Sequence, residues 1–545
     1  MSGEINIALA QINVMVGAVE NNVDRIIEYA NRARDELKAD LMVCSELVLT
    51  GYPPEDLLMR PGFNTRVEQQ LHRLCEAVQG IDLVVGYPKK IGNELYNMGA
   101  MIQGGVITHE YKKIDLPNYS VFDEKRYFSA GEKPCVIDYK DVSLGLTVCE
   151  DIWHEGPVEN AVAGGADVII NINGSPYHTN KIPERRRVVC ERAKKVQTPV
   201  VYVNQVGGQD ELVFDGASFV TDNDGNVIHQ MASFEEALST VTVTSDFDGV
   251  RIAGSEMVPE SDLHKSIYDA LVLGVRDYVQ KNGFSGVVIG LSGGIDSALT
   301  TTIAVDALGK ENVDVIMMPF RYTSDISKHD AHAEAEALGI KYHVISIEPM
   351  YDAFVQQLAP VFEGLEPDVT EENIQARCRG LTLMAYSNKT GRMVLTTGNK
   401  SEMSVGYATL YGDMVGGYNA IKDVPKVLVY ELARYRNTIS PVIPERVITR
   451  EPSAELRPDQ IDQDSLPPYE ILDPILELYV EHDTPPKEIV AKGYAEEYVS
   501  QVIRMVDRNE YKRRQSAPGV RITKRAFGRD RRYPITSGFR PKVDW

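Results

Sequence analysis

The stretch Val287-Val-Ile-Gly-Leu-Ser-Gly-Gly-Ile-Asp-Ser297 limits the possible folds of this chain more than any other. Val287 to Leu291 is an apolar run of strand length. Ser292-Gly293-Gly294 is a tight turn. From Ser297 the apolar residues Leu299, Ile303 and Ala307 recur at helical spacing. A strand, a glycine turn and a helix N-terminus in this order form a phosphate cradle. Free backbone N–H groups and the positive end of the helix dipole face the anion, and the glycines let the backbone come close. A common glycine turn with an Asx-type cap would also read this way locally. The lysine-bearing G-x-x-x-x-G-K-[ST] spacing is absent, which excludes a Walker-type loop.

The pattern around this stretch is β-α-β. Strands are expected at Val287–Leu291, Val313–Met318, Tyr342–Ser346 and Met393–Thr397, after a helix over Ser261–Lys281. Such alternation predicts a doubly wound parallel sheet with its ligand at the carboxyl ends of the strands. The first 245 residues alternate strands and helices separately. The predicted division is therefore an α/β domain over 1–245, a polar, glycine-containing linker over 246–260 and a second α/β domain over 261–545. The 545 residues suffice for two large cores.

Charge and cysteine content narrow the function. The formal net charge of −22 argues against nucleic acid or an acidic membrane as the main partner. The basic clusters at Arg185–Arg187, Lys512–Arg514 and Lys524–Arg532 read as solvated faces, the last two also as phosphate partners. The six cysteines form no C-x-x-C pair, so neither a zinc site nor a redox motif is expected. No apolar run has membrane-spanning length. The N-terminus has neither a basic flank nor an apolar signal core, and a reducing cytoplasm is the expected setting.

Three reactive residues in the first half each end a predicted strand: Glu46 after Leu41-Met-Val-Cys-Ser, Lys113 after Val106–Lys112, and Cys149 after Leu144–Val148. A thiolate attacks an amide carbon, and a nearby ammonium stabilises it. A carboxylate can shuttle the proton to the leaving amine. The lysine and the Glu150 N–H can then hold the oxyanion. Taken singly, each residue reads as an inert buried cysteine or a surface charge.

The words around these residues, Ser45-Glu46-Leu-Val-Leu-Thr-Gly-Tyr-Pro, Lys113-Ile-Asp-Leu-Pro-Asn-Tyr119 and Cys149-Glu-Asp-Ile-Trp153, resemble the three motifs of the nitrilase/amidase superfamily. That resemblance implies an αββα sandwich with a Glu46–Lys113–Cys149 triad. It also implies Glu124 as a second carboxylate on the lysine, and glutamine contacts at Tyr119, Glu124, Ser175 and Lys181. The Ser292–Ser297 word resembles the pyrophosphate loop of the N-type ATP pyrophosphatases, which adenylate a carboxylate or carbonyl.

A glutaminase joined to an adenylating domain implies an amidotransferase. Ser2 follows Met1, so the N-terminal cysteine of asparagine synthetases is missing, and the motifs do not resemble a Cys–His–Glu glutaminase. Further words support a resemblance to the glutamine-dependent NAD⁺ synthetase family over nearly the whole chain. They are Asn373-Ile-Gln-Ala-Arg377, Thr396-Thr-Gly-Asn-Lys-Ser-Glu402, Tyr411-Gly-Asp413, Lys422-Asp-Val-Pro-Lys426 and the basic tail.

The resemblance implies ATP contacts at Gly290, Leu291, Ser292, Gly293, Gly294, Ile295, Asp296, Ser297, Thr397 and Lys426. It implies deamido-NAD⁺ contacts at Asn373, Arg377, Glu402 and Lys512, and Mg²⁺ on Asp296 and Glu402. It further implies a homo-oligomer formed through the second domain. Leu410 stands where single-domain relatives carry a lysine. Two alternatives remain open at this point: an amidotransferase for another carboxylate, and an amidase fused to a nucleotide sensor.

Overall fold

The computed structural model describes residues 3–246, 249–458 and 460–539. It divides into two compact units, Met1–Leu263 and His264–Trp545. In the first unit, β1 (Gly3–Gln11), β2 (Leu41–Val43), β3 (Asp82–Ile91), β4 (Glu94–Gln103) and β5 (Val106–Lys112) belong to one sheet. β6 (Cys135–Tyr139), β7 (Val142–Val148), β8 (Val168–Asn173) and β9 (Val200–Asn204) belong to another. After the hairpin β10 (Val206–Gln209) and β11 (Leu212–Asp215), β12 (Phe219–Thr221) and β13 (Val227–Gln230) return to the second sheet. β14 (Ala237–Asp246) and β15 (Gly249–Gly254) return to the first. The orders are β15-β14-β1-β2-β3-β4-β5 and β13-β12-β9-β8-β7-β6.

Side-chain alternation along the strands accounts for the layering. Ile5, Ile7 and Leu9 face the second sheet and pack with Leu144, Leu146 and Val148. Ala8 and Ala10 face the opposite way, toward Val23 and Ile26 of helix α1 (Val19–Asp35) and Leu71 and Leu74 of α2 (Pro61–Ala77). On the far side, α3 (Glu155–Ala163) and α4 (Lys181–Val196) cover the second sheet through Val158, Ala161 and Val189. The result is the expected αββα sandwich. Within 246–260, Gly249–Gly254 pair antiparallel with β14 as an edge strand. Phe247 and Asp248 of that stretch lie outside the described residues.

The second unit opens with α5 (Leu263–Lys281) and then alternates. Its strands are β16 (Val287–Gly290), β17 (Val313–Met317), β18 (Lys341–Val344), β19 (Met393–Thr396) and β20 (Tyr418–Asn419). They pair in parallel in the order β18-β17-β16-β19-β20. Between and beyond them run α6 (Ile295–Leu308), α7 (Asp325–Leu338), α8 (Glu348–Leu358), α9 (Val369–Thr390), α10 (Lys400–Val405) and α11 (Lys426–Ile439). The strand order reverses direction between β16 and β19, which is the point where ligands bind to doubly wound sheets. Among the described residues, no helix is long and apolar enough to cross a membrane.

Candidate active sites

In the first unit, β2, β5, β7 and β8 all deliver their carboxyl ends to one edge of the sandwich, and the three reactive residues meet there. Glu46 and Lys113 are fully buried, and Cys149 is nearly so. The Lys113 ammonium donates to Glu46 Oε1 at 2.7 Å and to Glu124 Oε1 at 2.9 Å. Glu46 Oε1 also accepts from Asn97 Nδ2 at 2.7 Å, and Glu46 Oε2 accepts from the Gly174 N–H at 2.8 Å. The Tyr52 hydroxyl donates to Glu124 at 2.8 Å. Asn97, Gly174 and Tyr52 were not singled out from the sequence. Each is brought in by tertiary pairing, on β4, after β8 and in the loop after β2.

The electrostatics assign charge states. Burial opposes the Lys113 charge, but Glu124 and Glu46 outweigh it and hold the ammonium well above its ordinary range. Burial pushes the Cys149 thiol well up, and the Glu46 carboxylate adds to this; Lys113 pulls the other way and loses. The neighbouring ammonium does not by itself offset burial, so the carboxylate expected from the sequence to take the thiol proton is still needed. The proton must leave as attack begins, and the buried Glu46 carboxylate is the base present. Burial raises the Glu124 carboxyl to about 7 against the pull of Lys113. Cys149 has φ +47°, a left-handed conformation that non-glycine residues hold only when their surroundings impose it.

The expected glutamine contacts surround this centre. The Tyr119 hydroxyl donates to Glu150 Oε1 at 2.9 Å, on a ring that is otherwise exposed. Ser175 is buried; its N–H donates to Asn204 Oδ1 at 2.9 Å, and Arg185 donates to its hydroxyl at 3.4 Å. Arg185 in turn is clamped by both oxygens of Asp215, at 3.0 and 2.9 Å. Lys181, the first residue of α4, holds its ammonium 3.8 Å from the centroid of the Trp153 ring. Burial, and then Arg185, lower it to about 8.

In the second unit, the loop after β16 is braced by its own serines. Ser297 Oγ donates to the Gly294 carbonyl at 2.9 Å and accepts from the Ser292 N–H at 3.2 Å. The Gly294 N–H donates to Ser292 Oγ at 3.2 Å. Gly293 has φ +81°, and a Cβ there would lie 2.3 Å from the Ser327 carbonyl oxygen, so only glycine fits. A cavity of about 280 Å³ opens above this loop. Gly290, Leu291, Ser292, Gly294, Ile295, Asp296 and Ser297 line it, together with Thr397, Glu402 and Lys426.

Asp296 and Glu402 both bond the buried Lys426 ammonium, the latter at 3.2 Å. Asp296 Oδ1 also accepts from Asn399 Nδ2 at 2.8 Å, and Asn399 caps α10 by accepting from the Glu402 N–H. Burial raises the Glu402 carboxyl to about 8 against the pull of Lys426, with Asp296 and Asp462 adding to the rise. Burial opposes the Lys426 charge, but Asp296 and Glu402 raise it above its ordinary range. Asp296 and Glu402 bring carboxyl oxygens together beside the loop, a hard-oxygen donor pair of the kind that would fit Mg²⁺. No group of three or more His, Cys, Asp or Glu able to hold a metal occurs among the described residues.

The remaining predicted residues gather around the 406–413 loop and do not line the cavity. Asn373 Oδ1 accepts from Thr409 Oγ1 at 2.7 Å, and Arg377 Nε donates to the Leu410 carbonyl at 3.2 Å. The Lys512 ammonium donates to the carbonyls of Gly406 and Ala408 at 2.9 and 2.8 Å. Arg379 and Asp462, which line the cavity, were not foreseen. Arg379 stands two residues beyond the Asn373–Arg377 word, and Asp462 stands near no word singled out in the sequence.

Two known families match this chain. The carbon-nitrogen hydrolase family matches residues 6–251, and the NAD synthase family matches 267–516. A glutamine-dependent NAD(+) synthetase of Acinetobacter baylyi is 50% identical over 540 residues, covering 98% of this chain and 99% of the relative. One from Xanthomonas campestris pv. campestris is 48% identical, covering 98% of both. The solved structure of a glutamine-dependent NAD+ synthetase from Acinetobacter baumannii in complex with ADP is 46% identical. It covers 98% of this chain and 99% of that one, with a TM-score of 0.80.

Proposed function

The chain belongs to the glutamine-dependent NAD(+) synthetases, and from that premise we propose how its residues divide the work. It is a ligase that forms the carboxamide of NAD⁺ with nitrogen from glutamine. The overall reaction is deamido-NAD⁺ + ATP + glutamine + water → NAD⁺ + AMP + pyrophosphate + glutamate.

One observation carries the reading: a buried Glu46–Lys113–Cys149 centre and a phosphate-loop cavity stand on one chain. In the first unit, Glu46 takes the Cys149 proton as sulfur attacks the glutamine amide carbon. Lys113 neutralises the oxyanion, and Glu46 returns the proton to the departing ammonia. Glu46 then activates water to release glutamate from the thioester. Tyr119, Glu124, Ser175 and Lys181 hold the glutamine. In the second unit, the loop 290–297 cradles ATP, with Thr397 and Lys426 on the phosphates. Asp296 and Glu402 would hold Mg²⁺. The chemistry such an ion supplies when bound is neutralisation of phosphate charge. Asn373, Arg377, Glu402 and Lys512 position deamido-NAD⁺. Its carboxylate attacks the α phosphorus, pyrophosphate leaves, and ammonia displaces AMP from the mixed anhydride.

The test is NAD⁺ formation with glutamine or with ammonium chloride as the nitrogen source. Failure with both, in the presence of ATP and deamido-NAD⁺, refutes the reading. Pyrophosphate release without deamido-NAD⁺ would favour a different acceptor.

Self-association through the second unit is supported by exposed apolar side chains on and near α8. Helix α8 buries no side chain, and Phe354, Val361, Leu365 and Leu381 are all exposed. Sedimentation should show an oligomer that Phe354→Glu weakens; a monomer for both forms refutes this. A passage of ammonia between the centres, sheltered from bulk water, and a cytoplasmic setting complete the proposal.

A further inference from the structure

Asp151 is buried to the last atom, yet nothing in the chemistry above uses it. It lies in the single turn Cys149–Ile152 that follows β7. Its carboxylate accepts four hydrogen bonds. Oδ1 takes the N–H groups of Ile114 and Asp115, at 3.1 and 2.8 Å. Oδ2 takes the Val148 N–H at 2.9 Å and the Tyr111 hydroxyl at 2.8 Å. The donors come from both sides of the site. Tyr111, Ile114 and Asp115 bracket Lys113 at the end of β5 in one sheet. Val148 immediately precedes Cys149 at the end of β7 in the other.

A carboxylate removed from water persists only where its lone pairs are satisfied, and this one is satisfied entirely by the backbone and side chain that frame the catalytic pair. Two further facts show why such a frame is needed. Cys149 stands at φ +47°, a conformation that relaxes unless its neighbours hold it. The Lys113 backbone has only single bonds to other segments, its N–H to the Asn97 carbonyl at 2.9 Å and its carbonyl from the Gly131 N–H at 2.8 Å.

We infer that Asp151 is a positioning residue for the glutaminase reaction, one that fixes the separation and orientation of Cys149 relative to Lys113 by tying the end of β5 to the end of β7. Burial raises its carboxyl to about 6, and the Asp115 and Val148 N–H groups oppose this. The site thus keeps a strained anion, where a neutral residue would be easier to bury, for the geometry that the anion enforces. Asparagine is a poorer tie, because its NH₂ must oppose at least the Val148 N–H, even when the Tyr111 hydroxyl turns to accept from it.

The inference rests on Glu46, Lys113 and Cys149 being the glutaminase centre, which Cys149→Ala tests separately. The experiment uses the full-length enzyme with Asp151→Asn. Glutamate release should fall on the order of 10²-fold in kcat, the size of effect that a misplacement of ~1 Å produces. KM for glutamine should stay within about threefold, since the residues that hold glutamine are untouched. Ammonia-dependent NAD⁺ synthesis should be unchanged.

Glutamine-protectable iodoacetamide labelling, read on the Cys149 peptide, counts the folded, substrate-binding sites, and kcat is expressed per protected site. A purely structural role would reduce the number of such sites and leave kcat per site intact; that result overturns the inference. Tyr111→Phe removes one of the four bonds and keeps the carboxylate. It should lower kcat by about tenfold and have no further effect in the Asp151→Asn background. If Asp151→Asn does not fold, Tyr111→Phe decides alone, and an unchanged kcat there overturns the assignment.

Discussion

Replacing Glu46 by Gln should slow glutamine hydrolysis and at the same time make Cys149 easier to alkylate. The opposition of these two effects is what makes the variant informative. Glu46 accepts three hydrogen bonds: from Lys113 and Asn97 on Oε1, and from the Gly174 N–H on Oε2. Glutamine keeps one acceptor. Its carbonyl best serves the two donors on the Oε1 side, which leaves its NH₂ facing the Gly174 N–H. One bond is lost and two donors oppose each other, a stability cost of about 1–3 kcal/mol.

The chemical step loses its base. General-base catalysis contributes ~10²–10⁴-fold, equivalent to about 3–5 kcal/mol of barrier. Glutamate release should fall by that factor while ammonia-dependent NAD⁺ synthesis is retained. The thiol responds in the opposite sense. The Glu46 charge is one of the influences holding it up, after burial, and Lys113 is the one pulling it down. Without Glu46 the thiolate forms more readily, so iodoacetamide labelling at fixed pH near neutrality should be faster than in the wild type. Hydrolysis within tenfold of wild type would refute Glu46 as the base. Hydrolysis and labelling that both fall in parallel would refute the charge assignment and point to a collapsed site.

Cys149→Ala should abolish glutamine-dependent synthesis and leave ammonia-dependent synthesis largely intact; residual glutamine turnover in purified enzyme would contradict its role as nucleophile. Asp296→Asn keeps the shape and removes one of the two carboxylates that converge on Lys426. Synthesis should fall on the order of 10²-fold or more with either nitrogen source, and near-normal ammonia-dependent activity would remove Asp296 from the ATP site. With an external enzyme scavenging free ammonia, glutamine-dependent NAD⁺ formation should persist, and glutamate release should rise when ATP and deamido-NAD⁺ are present. Complete loss under scavenging would mean that ammonia escapes to solvent.

The sequence alone determined the class of each half, because strand and helix periodicity are local, and it named the candidate reactive groups through the words that resemble known families. The strand, glycine turn and helix around Ser292–Ser297 were legible as local patterns, and Gly293, with φ +81° against the Ser327 carbonyl, sits where only glycine fits. The period-2 alternation of Ile5, Ile7 and Leu9 marked the face that packs between the sheets. The chain positions of Glu46 and Cys149 followed from where the apolar runs stop, and that of Lys113 from the end of the segment Val106–Lys112.

Tertiary structure alone decided what surrounds those groups and in which charge state they rest. Asn97 and Gly174 reach Glu46 through strand pairing and sheet stacking over dozens of residues, while Tyr52 and Asp151 lie inside the quoted words but find their partners, Glu124 and the end of β5, only in the fold. Neither the upward shift of the Cys149 thiol nor the mutual contacts of Asp296, Lys426 and Glu402, which the sequence words named only separately, has a sequence signature. Both arise because burial weakens solvent screening, so a neighbour's charge, whose distance only the fold sets, governs the proton. The edge strand Gly249–Gly254, inside a stretch that reads as polar linker, has the same origin. Its pairing partner β14 supplies the hydrogen bonds that its own composition does not call for.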